Sequence, residues 1–216
     1  MWQSSARAET KRSFRNVKDG RLSYPLTLRF KKIALARQFS VEDTGGRLLM
    51  YVKQQAFKLR EAITIYADRE QTTPLYRVNA DRVIDFSATY DINAADGSYV
   101  GALRQQGMKS LWRTRYDIFR DHDVVFHVRE ENPWAKVGDG LLSEIPLLNL
   151  LSGYLFHPRY LITTAAGQEV IRARKEAAFF ESVFTVERLS TPLTAEDERL
   201  LLIGAVVTVL LERRRG

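Results

Sequence analysis

The chain has 216 residues, a formal net charge of +7 and no cysteine. The absence of cysteine excludes disulfides, thiolate zinc sites and cysteine nucleophiles. A β-rich chain of this length can fold as a single domain, and its apolar content is sufficient for a sizeable core.

The positive charge is concentrated at the start of the chain. Residues 1–32 contain nine basic and two acidic residues, so the net charge of +7 lies there and the rest of the chain is balanced. Residues 1–22 show no apolar periodicity and are predicted to form a flexible basic arm. Such an arm suits anionic lipid or nucleic acid, and the alternative is a solvated terminus without a partner.

A hairpin pattern occurs three times along the chain. The alternating segment, glycine turn and second alternating segment around Gly46 recur with the same spacing around Gly97 and Gly167. Further strands are predicted at about 26–32, 61–67, 74–79, 111–120, 123–130 and 181–189, with another opening near 83. These make about twelve strands, and their short linkages predict antiparallel meanders. A closed barrel of about twelve strands has a lumen that is too wide to be filled by inward-pointing side chains alone, so another element must fill it as a plug.

The last segment is predicted to be that plug. Thr194 and Asp197 form a capping box, and a helix is predicted over about 195–212. Residues 200–211 are apolar on every face, so this helix must be enclosed on all sides. A membrane span is the alternative, but it needs about 20 apolar residues, and this uncharged run has twelve. The predicted fold class is therefore mainly β, a closed antiparallel β-barrel over residues 23–216 around its own hydrophobic C-terminal α-helix.

Five segments carry a family resemblance. They are FSVEDTGG from Phe39, YDINAADG from Tyr90, RQQGMKSLWRTRYDIF from Arg104, and the stretches Ile145-Pro146 and Pro158 to Ile162. In this order they resemble two hairpins, a strand pair and a later crossing of the LURP-one-related family, within the tubby C-terminal-like superfamily that includes phospholipid scramblases. The resemblance implies a tubby-like closed barrel around a hydrophobic helix. It implies no known reaction, and the better-understood relatives bind phosphoinositides or associate with membranes.

The candidate binding site is a basic face on two neighbouring strands. Its residues are Arg104, Lys109, Arg113 and Arg115. Arg113 and Arg115 alternate on one face of a strand, and an antiparallel pairing brings the other two beside them. Arginine and lysine suit phosphate groups, so this face is predicted to bind lipid headgroups. The alternative is a solvated face whose charge Asp117 and Asp121 balance.

A second candidate surface is the leucine-rich connection at 133–156. Long connections without strands are often functional, and this one is interrupted by Pro146 and Gly153. It is predicted to cap one mouth of the barrel, to dip into a membrane interface or to contact a partner protein. Its predicted apolar contact residues are Trp134, Leu147, Leu148 and Leu151.

The sequence contains no constellation for catalysis or metal binding. The acidic turn that begins at Asp91 fails the spacing of an EF-hand, and His122, His127 and His157 do not stand at ligand spacing. Phosphate-binding loops and nucleophile elbows are absent as well. The protein is therefore expected to be no enzyme and to need no metal or cofactor.

These observations predict a tubby-like domain that binds anionic phospholipid headgroups or docks at a membrane surface. Two alternatives stay open, a protein-interaction scaffold that uses the 133–156 connection and a scramblase-like lipid mover. The expected partner is an anionic phospholipid, a membrane surface or a protein, and nucleic acid is not expected. The protein is expected to be a monomer in the cytoplasm or at the periphery of a membrane.

Overall fold

Twelve antiparallel strands close into a barrel around one helix in the computed structural model, which describes residues 22–33, 36–55, 63–81, 88–106, 115–131, 159–176, 181–190 and 193–215. The strands are β1 (Leu26–Ile33), β2 (Ala36–Glu42), β3 (Leu48–Gln55), β4 (Ile63–Tyr66), β5 (Pro74–Ala80), β6 (Thr89–Ala94), β7 (Tyr99–Gln105), β8 (Arg115–Arg120), β9 (Asp123–Glu131), β10 (Arg159–Thr164), β11 (Glu169–Glu176) and β12 (Glu181–Arg188). The helix, α1, spans Ala195–Arg215. Each strand pairs with its neighbours in sequence, and β1 pairs with β12 to close the ring.

The predicted fold class is confirmed, and the boundaries differ in detail. The helix continues to Arg215, beyond its predicted end near 212. The strand expected to open near 83 is described from Thr89, and the strand expected from 111 is described from Arg115. Leu22, predicted to belong to the arm, packs against the barrel core. The rest of the predicted arm lies outside the described residues.

The three repeated hairpins share one geometry. They join β2 to β3, β6 to β7 and β10 to β11, so they recur every four strands around the ring. In each turn the glycine N–H donates to the carbonyl three residues earlier, and the glycine φ lies between 72° and 89°. Each hairpin also has a register shift beside its turn. The repeat predicted from the sequence is therefore a structural repeat of the barrel wall.

The lumen of the barrel is filled by α1. Every residue from Leu200 to Leu211 is buried, as a helix that is apolar on all faces requires. Inward side chains of the strands, among them Phe30, Phe39 and Tyr116, form one core with the helix. Burying one large apolar side chain contributes about 1.5–3 kcal/mol, so α1 supplies a major part of the core. Among the described residues, no helix is long and apolar enough to cross a bilayer.

Two glycines allow α1 to lie close against the wall formed by β7 and β8. A Cβ atom added at Gly101 of β7 would lie 2.4 Å from the Phe119 carbonyl oxygen and 2.7 Å from Leu200 Cδ1. A Cβ atom added at Gly204 of α1 would lie 2.5 Å from Ile118 Cδ1. Neither position has space for a side chain, so these glycines permit the close approach of helix and wall.

Gly101→Ala should destabilise the barrel by about 1–3 kcal/mol, because the new methyl group meets a backbone oxygen of β8. Gly204→Ala is the matched comparison. Its methyl group meets the end of a flexible isoleucine side chain, and alanine favours a helix by about 1 kcal/mol over glycine, so we expect a small net loss. Urea unfolding of the two variants measures the difference. Equal losses would contradict the tighter constraint at Gly101.

Ion pairs join the first turn of α1 to the barrel wall. Thr194 Oγ1 accepts a hydrogen bond from the Asp197 N–H at 3.0 Å and donates to Asp197 Oδ2 at 2.7 Å, which confirms the capping box. Arg120 pairs with Asp197, and Arg188 Nη1 lies 3.0 Å from Glu198 Oε1. Glu198 is 2% exposed, and its burial raises the pKa of its carboxyl group. Asp197 and Glu198 of the first turn therefore have tertiary partners as well as the favourable helix dipole.

The two ends of the barrel differ in their connections. The turn end is defined by the short connections at 43–47, 67–73, 95–98, 121–122 and 165–168. The loop end is the opposite one, where β1–β2, β3–β4, β5–β6, β7–β8, β9–β10 and β11–β12 connect. Because α1 follows β12, it begins at the turn end, with Leu200 beside Gly101. Gly204 lies beside Ile118 of β8, which pairs with Leu103 of β7. Leu103 is two residues closer to the loop end than Gly101, so α1 runs from the turn end towards the loop end.

Candidate functional site

Two of the four residues predicted for the basic face lie in the part of the chain that the structure describes. These are Arg104 at the end of β7 and Arg115 at the start of β8. Lys109 and Arg113 fall within 107–114, outside the described residues. The predicted apolar contacts also lie outside them, within 132–158, namely Trp134, Leu147, Leu148 and Leu151. Their roles stay predictions.

Arg104 and Arg115 take diagonal positions on the outer face of the barrel. Arg104 is the Cα partner of Asp117, which is two residues along β8 from Arg115, and both arginines are exposed. The pairing of these strands places the two arginines in diagonal positions on neighbouring strands. Asp117 Oδ1 accepts a hydrogen bond from Gln106 Nε2 at 2.7 Å and lies 2.7 Å from His127 Nδ1. The described contacts of this carboxylate are thus with neutral or titratable groups rather than with the arginines.

A cleft of about 480 Å³ lies beside Arg104 on the outer face of β6, β7 and β8. The Arg104 guanidinium carbon lies 4.5 Å from the centroid of the Phe119 ring, a cation–π contact. Asp91 and Asp121 also line the cleft, so its carboxylates outnumber its one arginine. Like charges repel, so this part of the surface does not favour a phosphate group. The headgroup role of Arg104 stays a prediction, and the stronger cation excess lies further along the wall.

Three exposed arginines on adjacent strands form what we name the arginine cluster: Arg115 of β8, Arg129 of β9 and Arg159 of β10. Arg115 and Arg129 are Cα partners. Arg159 is two residues from Leu161, the β10 partner of Arg129, and therefore takes a diagonal position. The start of β8, the end of β9 and the start of β10 all meet at the loop end, so the cluster lies on the outer face at this end.

The arginine cluster has a local excess of positive charge. Glu131 is the Cα partner of Arg159, but its Oε1 lies 3.2 Å from Arg172 Nε. Within the described ranges, no carboxylate forms an ion pair with any arginine of the cluster. Like charges directly opposite each other across two strands are destabilising. An anion placed between these guanidinium groups would therefore be bound favourably.

Arg129 and Arg159 were not predicted as site residues from the sequence. Arg129 follows the buried Val128, and Arg159 precedes the buried Tyr160. This alternation of exposed and buried residues was the signal in the sequence that could have placed both arginines on the outer face. The position of Arg129 opposite Arg115 depends on a register shift at the end of β8, which moves the pairing by one residue. If the residues were paired outward from the β8–β9 turn without that shift, Val128 would lie opposite Arg115. The local sequence pattern alone therefore does not predict that Arg115 and Arg129 are partners.

The acidic and histidine segments take ordinary structural positions. Asp121 and His122 form the β8–β9 turn, and Asp91 lies in β6. Among the described residues, no group of three or more histidine, aspartate and glutamate side chains could hold a metal ion.

Comparison with known proteins agrees with the resemblance predicted from the sequence. Residues 48–140 match the LURP-one-related family. A crystal structure of an Arabidopsis thaliana protein is similar at 14% sequence identity, with 89% of this chain and 93% of that chain covered and a TM-score of 0.46. No curated protein matches the chain.

Proposed function

We propose that this LURP-one-related, tubby-like barrel docks at membrane surfaces that carry anionic phospholipids, with its loop end towards the lipid. The observation that carries the proposal is the opposed pair Arg115 and Arg129, with Arg159 in the diagonal position and no described carboxylate partner for any of them. The role is one of binding and includes no chemical step. In this proposal the protein acts at the cytoplasmic surface of a membrane, where anionic lipids give a negative surface potential.

The chemistry of the cluster suits phosphate groups of lipid headgroups. A guanidinium can bind a phosphate through two parallel N–H···O bonds, and adjacent strands place two guanidinium groups within reach of one anion. Near an anionic membrane each basic residue contributes about 1 kcal/mol. The three arginines together therefore supply about 3 kcal/mol, which corresponds to more than a hundredfold in partitioning.

The connections that carry the other predicted contact residues start and finish at strand ends that lie at the loop end. The β7–β8 connection carries Lys109 and Arg113, and the β9–β10 connection carries the leucine-rich stretch at 133–156; both connections leave the barrel at the loop end. The helix α1 also runs towards this end and finishes there with three arginines in sequence, 213–215. A basic and apolar composition is what an interfacial docking surface requires, and the described strand ends that hold these connections lie at one end of the barrel.

Arg115→Ser with Arg129→Ser should weaken binding to phosphatidylcholine vesicles containing phosphatidylserine by about thirtyfold, because two basic residues contribute about 2 kcal/mol. Vesicle sedimentation measures the partition coefficient. Arg77→Glu is the matched control, since this side chain is exposed in the middle of β5, away from the arginine cluster and the loop end, and the net charge changes by the same two units. The difference between the two variants should shrink as salt rises, because ions screen exposed charges.

Two results of this experiment would contradict the proposal. An equal loss in the control variant would mean that net charge alone draws the protein to the vesicle. The second result is vesicle binding that does not change with salt concentration and is lost only when Leu147, Leu148 and Leu151 are replaced. It would assign the function to the 133–156 connection and favour a protein scaffold or an apolar membrane contact.

A further inference from the structure

A second charged cleft lies on the opposite wall of the barrel. It has a volume of about 200 Å³ and lies on the outer face of β1, β2 and β3 beside the β4–β5 turn. Since β2 and β8 stand six places apart in a ring of twelve strands, this cleft faces away from the arginine cluster. The side chains that matter here are Arg29, Lys31, Gln38, Ser40, Tyr51 and Arg69. We name it the β1–β3 cleft.

The charges of the β1–β3 cleft are ordered by depth. The cations are at the front, because the side chains of Arg29, Lys31 and Arg69 are 39%, 57% and 53% exposed. The carboxylates are behind them, because those of Glu42 and Glu181 are 16% and 20% exposed. Three cations against two carboxylates leave an excess of one positive charge among these described residues, and a ligand that arrives from solvent meets the cations first.

The carboxylates hold the cations in place. Glu42 accepts hydrogen bonds from Arg29 Nε at 3.3 Å and from Arg69 Nη2 at 2.8 Å, and Glu181 accepts one from Arg29 Nη1 at 2.8 Å. A guanidinium has five N–H donors, so the described contacts leave donors on both arginines for a ligand. Groups that are already oriented lose less entropy when they bind.

Neutral donors complete the set. Tyr51 is largely buried under Arg69, whose guanidinium carbon lies 5.7 Å from the ring centroid. Burial raises the pKa of the Tyr51 hydroxyl, so it keeps its proton and can donate. Gln38 of β2 stands next to it as the partner of Lys53, whereas the Ser40 hydroxyl already donates to Glu42 Oε1 at 3.4 Å. The cleft thus combines guanidinium, ammonium, hydroxyl and amide donors, the types that bind oxygen-rich anions.

We propose that the β1–β3 cleft binds the phosphate group of a phosphomonoester. A volume of about 200 Å³ is below the roughly 300–1,000 Å³ of sites for drug-sized ligands, so a phosphate with a small substituent fits and a larger ligand extends into solvent. The phosphate can come from a soluble phosphomonoester or from a lipid headgroup such as phosphatidic acid. The site lies on the opposite wall from the arginine cluster and does not depend on the proposed membrane docking.

The test is a titration of the full chain with inorganic phosphate, with glycerol 3-phosphate and with phosphatidylcholine vesicles that contain phosphatidic acid. Isothermal titration calorimetry measures the soluble ligands, and sedimentation measures the vesicles. We expect saturable binding of glycerol 3-phosphate in the parent and a loss of about a hundredfold in Lys31→Gln with Arg69→Gln, because each charge-assisted hydrogen bond is worth about tenfold or more. Arg77→Glu changes the net charge by the same two units outside the cleft and should bind like the parent.

Each outcome decides the proposal. Binding of glycerol 3-phosphate, or of phosphatidic acid vesicles alone, that is lost in the cleft variant and kept in the control supports it and identifies the source of the phosphate. Equal affinity in both variants, or no saturable binding of any probe to the parent, overturns it. A Tyr51→Phe variant tests the same site without the risk of misfolding, because it keeps the buried ring and removes only the hydroxyl donor. The Arg115→Ser and Arg129→Ser variant should keep its affinity for glycerol 3-phosphate, which separates this site from vesicle docking.

Discussion

Val207→Asp should leave a chain that does not fold cooperatively. Val207 is fully buried within α1, and α1 fills the lumen of the barrel. An unpaired carboxylate at such a position costs several kcal/mol, which is comparable with the total stability of about 5–15 kcal/mol of a typical domain. Thermal unfolding followed by far-ultraviolet circular dichroism measures the effect.

The control for this substitution is Val183→Asp on β12. Val183 lies on the outer face, half-buried, as the Cα partner of Arg29, so we expect a loss of at most about 1 kcal/mol. A chain that ends after Leu193 lacks α1 altogether and should aggregate, because the apolar inner wall of the barrel is then exposed. A truncated chain that is soluble and unfolds cooperatively would show that the helix is not needed as the plug.

Arg188→Met should destabilise the fold by about 3–5 kcal/mol at neutral pH, because removing one partner of a buried ion pair leaves the other charge uncompensated. Arg188 is the described cation that faces Glu198, with 3.0 Å between Nη1 and Oε1. Tyr24 also faces this carboxylate, but burial raises its own pKa, so it stays neutral and supplies no compensating charge. Urea unfolding measures the loss.

The dependence of this loss on pH has a definite sign. Burial raises the pKa of Glu198 in the folded state above its ordinary value, so the folded state binds a proton more readily than the unfolded state. The cost of the buried charge is therefore present at neutral pH and is relieved as the pH falls through the folded-state pKa. We expect the difference in unfolding free energy between Arg188→Met and the parent to shrink on going from neutral to mildly acidic solution.

The double variant Arg188→Met with Glu198→Gln separates charge from packing. It removes the carboxylate together with its partner, so most of the stability should return and the pH dependence should disappear. A double variant as unstable as Arg188→Met alone would mean that the loss comes from the packing of the arginine over the Tyr24 ring, 5.9 Å from the guanidinium carbon.

The barrel could be predicted from the sequence because its signals are local. A turn around Gly97 needs a positive φ, which glycine adopts without strain, and the alternation on either side defines a two-faced strand. The run at 200–211 is apolar on every face, so the chain must surround it, whatever the order of the strands. The cap at Thr194 spans three residues and is equally local.

The candidate site was only partly predictable, because one residue of register changes which side chains are neighbours. Arg104 and Arg115 were predicted to lie together, and the strand pairing places them diagonally. Arg129 faces Arg115 only because of the shift between Ile118 and Phe119. Such irregularities depend on how both strands pack against the helix, and no short window of sequence contains that information.

The sequence by itself determined the elements of this protein: a repeated hairpin, many alternating strands, and a helix that must be enclosed. Only the tertiary structure decided which charges meet. The bond from Arg29 to Glu181 joins residues that are 152 positions apart, and the pair of Arg120 with Asp197 joins residues that are 77 apart. Both exist because the ring closes between β1 and β12 and because α1 returns into the lumen. Backbone conformation follows from neighbours in the chain, whereas the partner of a charged side chain follows from the closure of the whole sheet.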